Sequence, residues 1–272
     1  AKIGMFCVPG VASLEQVARL CAAGLDFVRV GTNVDAVESS EPYIRMCKKL
    51  GVIVMANYMK SYVMKPAQFA QEVKKTESYG ADVVYLVDSA GSMLPKDILQ
   101  YYNEIRKVSD LPLGFGHNNL GLALSNSLYA AELGFSLIDA SLQGLGRSAG
   151  NAALEHLVAV SQKMEGGTKA DISGLLLLGK KYVARFIESG RIDPIDTICG
   201  IAGFHSSYLQ EIHRCAGKFG VSPLDLITAY AKVDQINMDE SCLEKVAKQL
   251  PQKKDIIAEI DMHRYLVNEQ GY

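Results

Sequence analysis

Six short apolar runs, each followed by a helix-like stretch, constrain this chain more than anything else in it. KIGMFCV (2–8), FVRVG (27–31), VIVMAN (52–57), DVVYLVD (82–88), LPLGF (111–115) and SLIDASL (136–142) recur roughly 25 to 30 residues apart. Short runs nearly continuous in apolar residues read as strands covered on both faces, the habit of parallel sheets. Between them lie amphipathic helices. SLEQVARLCAAG (13–24) has Ser13 as N-cap and ends at Gly24, whereas PYIRMCKKLG (42–51), PAQFAQEVKKTESYG (66–80) and PKDILQYYNEIRKV (95–108) open on proline. Proline suits the first helical turn because the N–H it lacks has no partner there. Repetition of this kind requires right-handed crossovers and a parallel sheet, either open and doubly wound or closed as a barrel.

The pattern changes after EGGTKAD (165–171). From ADISGLLLLGKKYVARFIESG through SYLQEIHRCAGKFG to LEKVAKQL the signal is helical, with no strand. The chain therefore divides into β/α units over 1–167 and a helical C-terminal region over 168–272. With 272 residues, 49% of them hydrophobic and 21% charged, it is long enough to bury a sizeable core. A net charge of -2 supplies no basic field for nucleic acid or an anionic membrane. No apolar run approaches the roughly 18 residues of a membrane span. The six cysteines (7, 21, 47, 199, 215 and 242) form no CxxC pair, and no secretory signal is expected with them. A reducing cytoplasm is the expectation, with thiols that pack rather than react.

In parallel α/β proteins the site forms beyond the carboxyl ends of the strands. The residues there are Arg29 and Asn33; Asn57; Asp88 and Ser89; His117 and Asn119; Asp139, Ser141 and Gln143. Single Asn, Asp or Ser residues at such places are often turn formers or caps. Three stretches stand out. VDSAGSMLP (87–95) brings a carboxylate and a hydroxyl out of a buried strand. GFGHNNLGLALSNS (114–127) puts an imidazole and two carboxamides at a strand-to-helix junction. LQGLGRSAGNAALE (142–155) superficially suggests a phosphate loop, but its G-x-G-x-x-x-G spacing is neither a dinucleotide fingerprint nor a P-loop. Asn151 in it reads as a ligand or as an N-cap, and composition alone favours the cap.

Together these stretches resemble the metal-dependent pyruvate aldolases of the 4-hydroxy-2-oxovalerate aldolase type. Those aldolases are barrel lyases with an Asp-Arg-Glu motif on the first strand, alongside hydroxymethylglutaryl-CoA lyase and isopropylmalate synthase. GIAGFHSSYLQ (200–210) continues the resemblance into the helical region, which it covers to about residue 250. It implies a TIM-type (β/α)8 barrel, a divalent cation (Mn2+ or Mg2+), and cleavage of a 4-hydroxy-2-oxoacid to pyruvate and an aldehyde. By position, His117 matches the second His of the family's His-x-His metal motif, and Asn151 the Asn that approaches or ligates the metal. Ser89 matches the serine that contacts the pyruvate carboxylate, with Asp88 and Arg147 as further substrate-binding candidates. His205 stands where the aldolases carry a Tyr on the substrate hydroxyl, and can serve there as acid or base.

The resemblance has departures. Phe115-Gly116-His117-Asn118 lacks the first His of the motif. KIGMFCV aligns with the family's third strand, so the first two βα units, with the Asp-Arg pair and the catalytic His that follows it, are expected outside this sequence. That would make it part of a longer protein; Ala1 in place of Met agrees. The competing enzyme reading is a Claisen-type acyl-CoA lyase or synthase of the same superfamily. A catalytically silent homologue acting as a binding or assembly subunit is the reading from another class. The family also implies a homo-oligomer acting in aromatic hydrocarbon catabolism, with an acylating aldehyde dehydrogenase as partner. His156, His213 and His263 match no motif and read as surface or packing residues.

Overall fold

A computed structural model of the chain describes residues 1–116, 120–164, 166–187 and 194–252. Six strands form one sheet in chain order: β1 (Gly4–Cys7), β2 (Phe27–Asn33), β3 (Ile53–Met59), β4 (Val83–Val87), β5 (Leu113–Gly116) and β6 (Leu137–Ile138). Every neighbouring pair is parallel. Helices α1 (Leu14–Ala22), α2 (Glu41–Lys49), α3 (Pro66–Tyr79), α4 (Pro95–Arg106) and α5 (Ala123–Leu133) make the five crossovers. The chain forms two compact units. Of the described residues, the first comprises 1–89, 93–116 and 126–139; the second comprises 90–92, 120–125, 140–164, 166–187 and 194–252.

The helix boundaries follow from local chemistry. Ser13 caps α1 in a capping box, its hydroxyl accepting from the Gln16 amide at 3.2 Å while the Gln16 side chain accepts from the Ser13 amide at 2.8 Å. Pro66 and Pro95 stand at the first helical position, Pro42 at the second, and Gly80 ends α3 at φ 99°. Along the strands Val28 and Val30, Val54 and Ala56, Val84 and Leu86, and Leu113 and Phe115 belong to one buried apolar cluster with Val17, Ile44, Phe69, Ile98 and Ile105 of the helices. Alternation places Phe6, Arg29, Asn57, Tyr85 and Gly114 on the opposite face.

That second face is where the structure departs from an apolar layer. Arg29 on β2 donates to both oxygens of Asp139, just past β6, at 3.0 and 2.8 Å. Strands β2 and β6 are four places apart, about 19 Å in a flat sheet. An ion pair across that gap requires a sheet curled about this face, as in a (β/α) barrel. Six strands are described where the resemblance implies eight. The last is shorter than its apolar run suggests, because after Asp139 the chain leaves the ladder for the loop described below.

In the second unit α6 (Leu154–Ser161) precedes a short α7 (Ile172–Leu178), which runs into a π turn at Gly179–Val183. Then come α8 (Pro194–Ala202), α9 (Leu209–Phe219), α10 (Pro223–Tyr230) and α11 (Glu240–Gln249). These four enclose a core of Ile195, Cys199, Phe204, Leu209, Ile212, Leu226, Tyr230 and Leu243. On α9, Leu209, Ile212, Cys215 and Ala216 repeat at helical spacing and are all buried. No helix among the described residues is long and apolar enough to cross a membrane.

Candidate active site

In the first unit the polar groups gather at two places. At the exit of β4, Asp88 and Ser89 are 1% and 7% exposed. Asp88 accepts from the Met93 amide at 2.8 Å, and the Asn126 side-chain amide donates to the Met93 carbonyl at the same distance, so this turn is tied on both sides. Ser89 Oγ accepts from the Lys60 amide at 2.9 Å. Lys60, just past β3, has a left-handed backbone (φ 60°). A hydroxyl that accepts one bond keeps its own proton to donate, so Ser89 can offer a hydrogen bond to an anionic oxygen.

The second place is the inner face of the sheet. Arg29 bridges Asp139, also donates to the Asn57 side-chain oxygen, and lies 3.9 Å from the centre of the Tyr85 ring. Burial, and then the charge of Asp139, push the Tyr85 hydroxyl up to about 12. It is therefore a neutral O–H at physiological pH. Gly114 gives this ring its room, since a Cβ at that position would overlap Tyr85. Asn57 and Asp139 stand on the strand-end roster; Tyr85 does not, because a tyrosine inside an apolar run looks like core. The signal that could have found the cluster is Arg29 itself: a cation inside an apolar strand needs a partner.

In the second unit the residues from Ser141 to Leu154 form a loop closed on itself. Ser141 and Ala153 pair as an isolated bridge, the Leu154 amide donates to the Ser141 carbonyl at 2.8 Å, and the Asn151 amide to the Gly144 carbonyl at 2.9 Å. Helix α6 begins at Leu154 with Ala153 as its cap, so Asn151 is not the N-cap that composition favours. Its side-chain nitrogen donates to the Leu145 carbonyl at 3.1 Å, which leaves Oδ1 as the atom a hard cation could take. Two non-glycine residues in the loop have positive φ, Gln143 at 57° and Ser148 at 56°. Such strain concentrates at functional sites. Arg147 lies between them and is half-buried.

Each strained residue is held by a buried carboxylate. Glu155, 2% exposed, accepts from the Gln143 amide at 2.9 Å and from its side chain at 2.8 Å. Burial alone would raise the Glu155 pKa, but these hydrogen bonds outweigh it and hold it below the usual carboxylate range. Ser148 Oγ donates to Asp196 Oδ1 at 2.6 Å, and Asp196 is 4% exposed.

His205 precedes the 3-10 turn Ser206–Tyr208, and its Nδ1 accepts from the Ser207 amide at 3.2 Å. An accepting Nδ1 assigns the proton of the neutral ring to Nε2. Asp88 and Ser89 thus lie together in the first unit, and Arg147 and Asn151 in one loop of the second. His117, the expected metal ligand, falls outside the described residues, as do Asn119 and His263. Among the described residues no three His, Cys, Asp or Glu side chains are gathered as a metal centre would need. His156 and His213 are exposed, as expected. Burial, and then Cys21 beside them, push the Cys7 and Cys47 thiols up to about 11 and about 12, so these are packing residues.

The comparisons with known proteins run through both halves of the chain. The HMGL-like family pattern matches residues 23–180, and the DmpG-like communication domain matches 190–252. A 4-hydroxy-2-oxovalerate aldolase of Geobacillus genomosp. 3 is 34% identical over 93% of this chain and 76% of its own length. The chain belongs to the 4-hydroxy-2-oxovalerate aldolase family. This makes it a member of a family of carbon–carbon lyases of the aldehyde-lyase class. A second family member, 4-hydroxy-2-oxovalerate aldolase 4 of Rhodococcus opacus, is 36% identical over 92% of the chain and 73% of its own length. Among solved structures, the carboxyl transferase domain of Rhizobium etli pyruvate carboxylase matches 92% of the chain and 48% of that domain with a TM-score of 0.73. Its 15% identity makes that a likeness of fold alone.

Proposed function

We propose that the protein is a pyruvate aldolase that cleaves a 4-hydroxy-2-oxoacid between C3 and C4, releasing an aldehyde and pyruvate. The observation that carries the reading is the continuity of the likeness, an HMGL-like match followed by a communication-domain match in one chain. Residues 1–167 would supply the β/α part and 168–272 the helical part. In this reading the Ser89 hydroxyl donates to the substrate carboxylate, and Arg147 is a further substrate-binding residue. Asp88 holds the turn from which Ser89 projects. His205 donates through Nε2 to the substrate 4-hydroxyl, the place of the family's Tyr. Taking up a proton at Nδ1 would first require breaking the bond from the Ser207 amide, so orientation rather than proton removal is its expected role.

A divalent cation, Mn2+ or Mg2+, belongs to the same proposal, with His117 and Asn151 as its ligands. The described residues supply one donor, Asn151 Oδ1, and do not by themselves fit a metal centre. The roles of Ser89, Arg147, Asp88 and His205 therefore rest on the chain's own groups. The substrate is a small 2-oxoacid, the setting cytoplasmic, and the communication domain fits an acylating aldehyde dehydrogenase that accepts the aldehyde. A homo-oligomer follows the family pattern.

The test is pyruvate release from a racemic 4-hydroxy-2-oxoacid with and without added Mn2+, together with metal content. The expected result is metal-stimulated release that is abolished in His117→Ala, with KM raised roughly tenfold or more in Ser89→Ala, the scale of a hydrogen bond to a charged group. Wild-type protein that neither binds metal nor forms pyruvate would sink the reading.

A further inference from the structure

We infer that Asp196 is a positioning residue for the substrate loop, acting through Ser148 from the first helix of the communication domain. The inference rests on the aldolase reading for what the loop binds, and on the geometry alone for the clamp. Ser148 and Asp196 are 48 positions apart, and their 2.6 Å hydrogen bond joins residues matched by two different family patterns. Asp196 sits in the first turn of α8, next to Ile195, which is fully buried in the helical core. Its carboxylate is therefore presented from a helix that packs into that domain's core.

Ser148 needs such a hold. Its φ of 56° is a conformation that a residue with a Cβ leaves readily unless something fixes it. It stands between Arg147, a substrate-binding residue in that reading, and the Ala149-Gly150-Asn151 run. The Gly150 amide donates to the Arg147 carbonyl at 2.9 Å, so a change at Ser148 reaches the backbone on both sides. Glu155 makes the matching contact to Gln143, but from α6, inside the HMGL-like match. Glu155 thus anchors the loop from within its own module, and Asp196 anchors it from the communication domain.

The test uses the full chain and four variants: Ser148→Ala, Ser148→Gly, Asp196→Ala and Asp196→Asn. Two readouts are taken, steady-state kinetics for pyruvate release and the rate of tryptic cleavage after Arg147. Losing a hydrogen bond to a buried carboxylate should raise KM roughly tenfold in Ser148→Ala and Asp196→Ala. Folding damage would lower the active fraction, hence apparent kcat, and leave KM alone. Asp196→Asn, which keeps an accepting oxygen, should restore KM to within about threefold of wild type. Ser148→Gly tolerates the positive φ but lacks the hydroxyl, and should match Ser148→Ala in KM. Cleavage after Arg147 should quicken in Ser148→Ala, Ser148→Gly and Asp196→Ala and stay slow in Asp196→Asn. Unchanged KM and unchanged cleavage in Asp196→Ala would overturn the inference. An inactive wild type would overturn the aldolase reading instead, and the cleavage rates would then decide the clamp alone.

Discussion

The curled sheet and the loop that follows it both pair charged groups that are at least partly withdrawn from water, in opposite ways. In the sheet, Arg29 and Asp139 meet because parallel strands and their curl bring two relaxed backbones together. In the loop the backbone itself is strained, at Gln143 and Ser148, and the buried carboxylates Glu155 and Asp196 hold it in place. A charge in the first setting supports the fold. In the second it supports a strained backbone, and this is the setting in which a function is expected.

Substitution separates the two. The largest effect is expected from Arg29→Met, which removes the cation that donates to Asp139 and to the Asn57 oxygen. Removing one partner of a fully buried pair costs about 3–5 kcal/mol. Because these side chains are 20% and 36% exposed, a loss of about 2–3 kcal/mol is the expectation, read as a lower denaturation midpoint. Arg29→Met with Asp139→Leu should recover part of it. A neutral single variant would mean that the pair does not fix the curl.

Glu155→Gln should cost less, about 1–2 kcal/mol, the scale of a charge-assisted hydrogen bond. It should also change the response to pH. The folded pKa of Glu155 is lowered, so its carboxylate contributes stability above its unfolded value of about 4.3, and that contribution disappears as pH falls through the folded pKa. The gap between wild type and variant should be full at pH 6 to 7 and close in acid; a gap independent of pH would break the comparison. Gln143→Gly is a sharper probe, since glycine accepts the positive φ but loses the side-chain bond to Glu155. The two changes oppose each other, and net stability should stay within about 1 kcal/mol of wild type. The smallest effect belongs to a charge outside both settings. Glu244→Gln removes an exposed bridge from α11 to Lys218 on α9 and should leave the denaturation midpoint where it is.

Much of the fold was legible because it depends on local periodicity. Alternating apolar runs and helix signals set the parallel β/α order, and Ser13, Pro66, Pro95 and Gly80 stand where capping chemistry puts them. The short β6 was not legible, because SLIDASL has the composition of a strand throughout and only the loop beyond it ends the ladder. Candidate site residues stand out in the sequence singly, as polar groups at strand ends, and by resemblance. Asn151 shows the limit. Composition favoured a helix cap, yet the helix starts three residues later, since the bridge from Ser141 to Ala153 decides where it can begin.

Element order, the faces that pack on helices and the family can all be read along the chain, because each is a property of near neighbours in it. The meeting of Arg29 with Asp139, 110 positions away, and of Ser148 with Asp196 exists only in three dimensions. Such pairings depend on how far a sheet curls and how a helix docks, and on the free-energy cost of leaving a buried charge or a strained backbone without a partner.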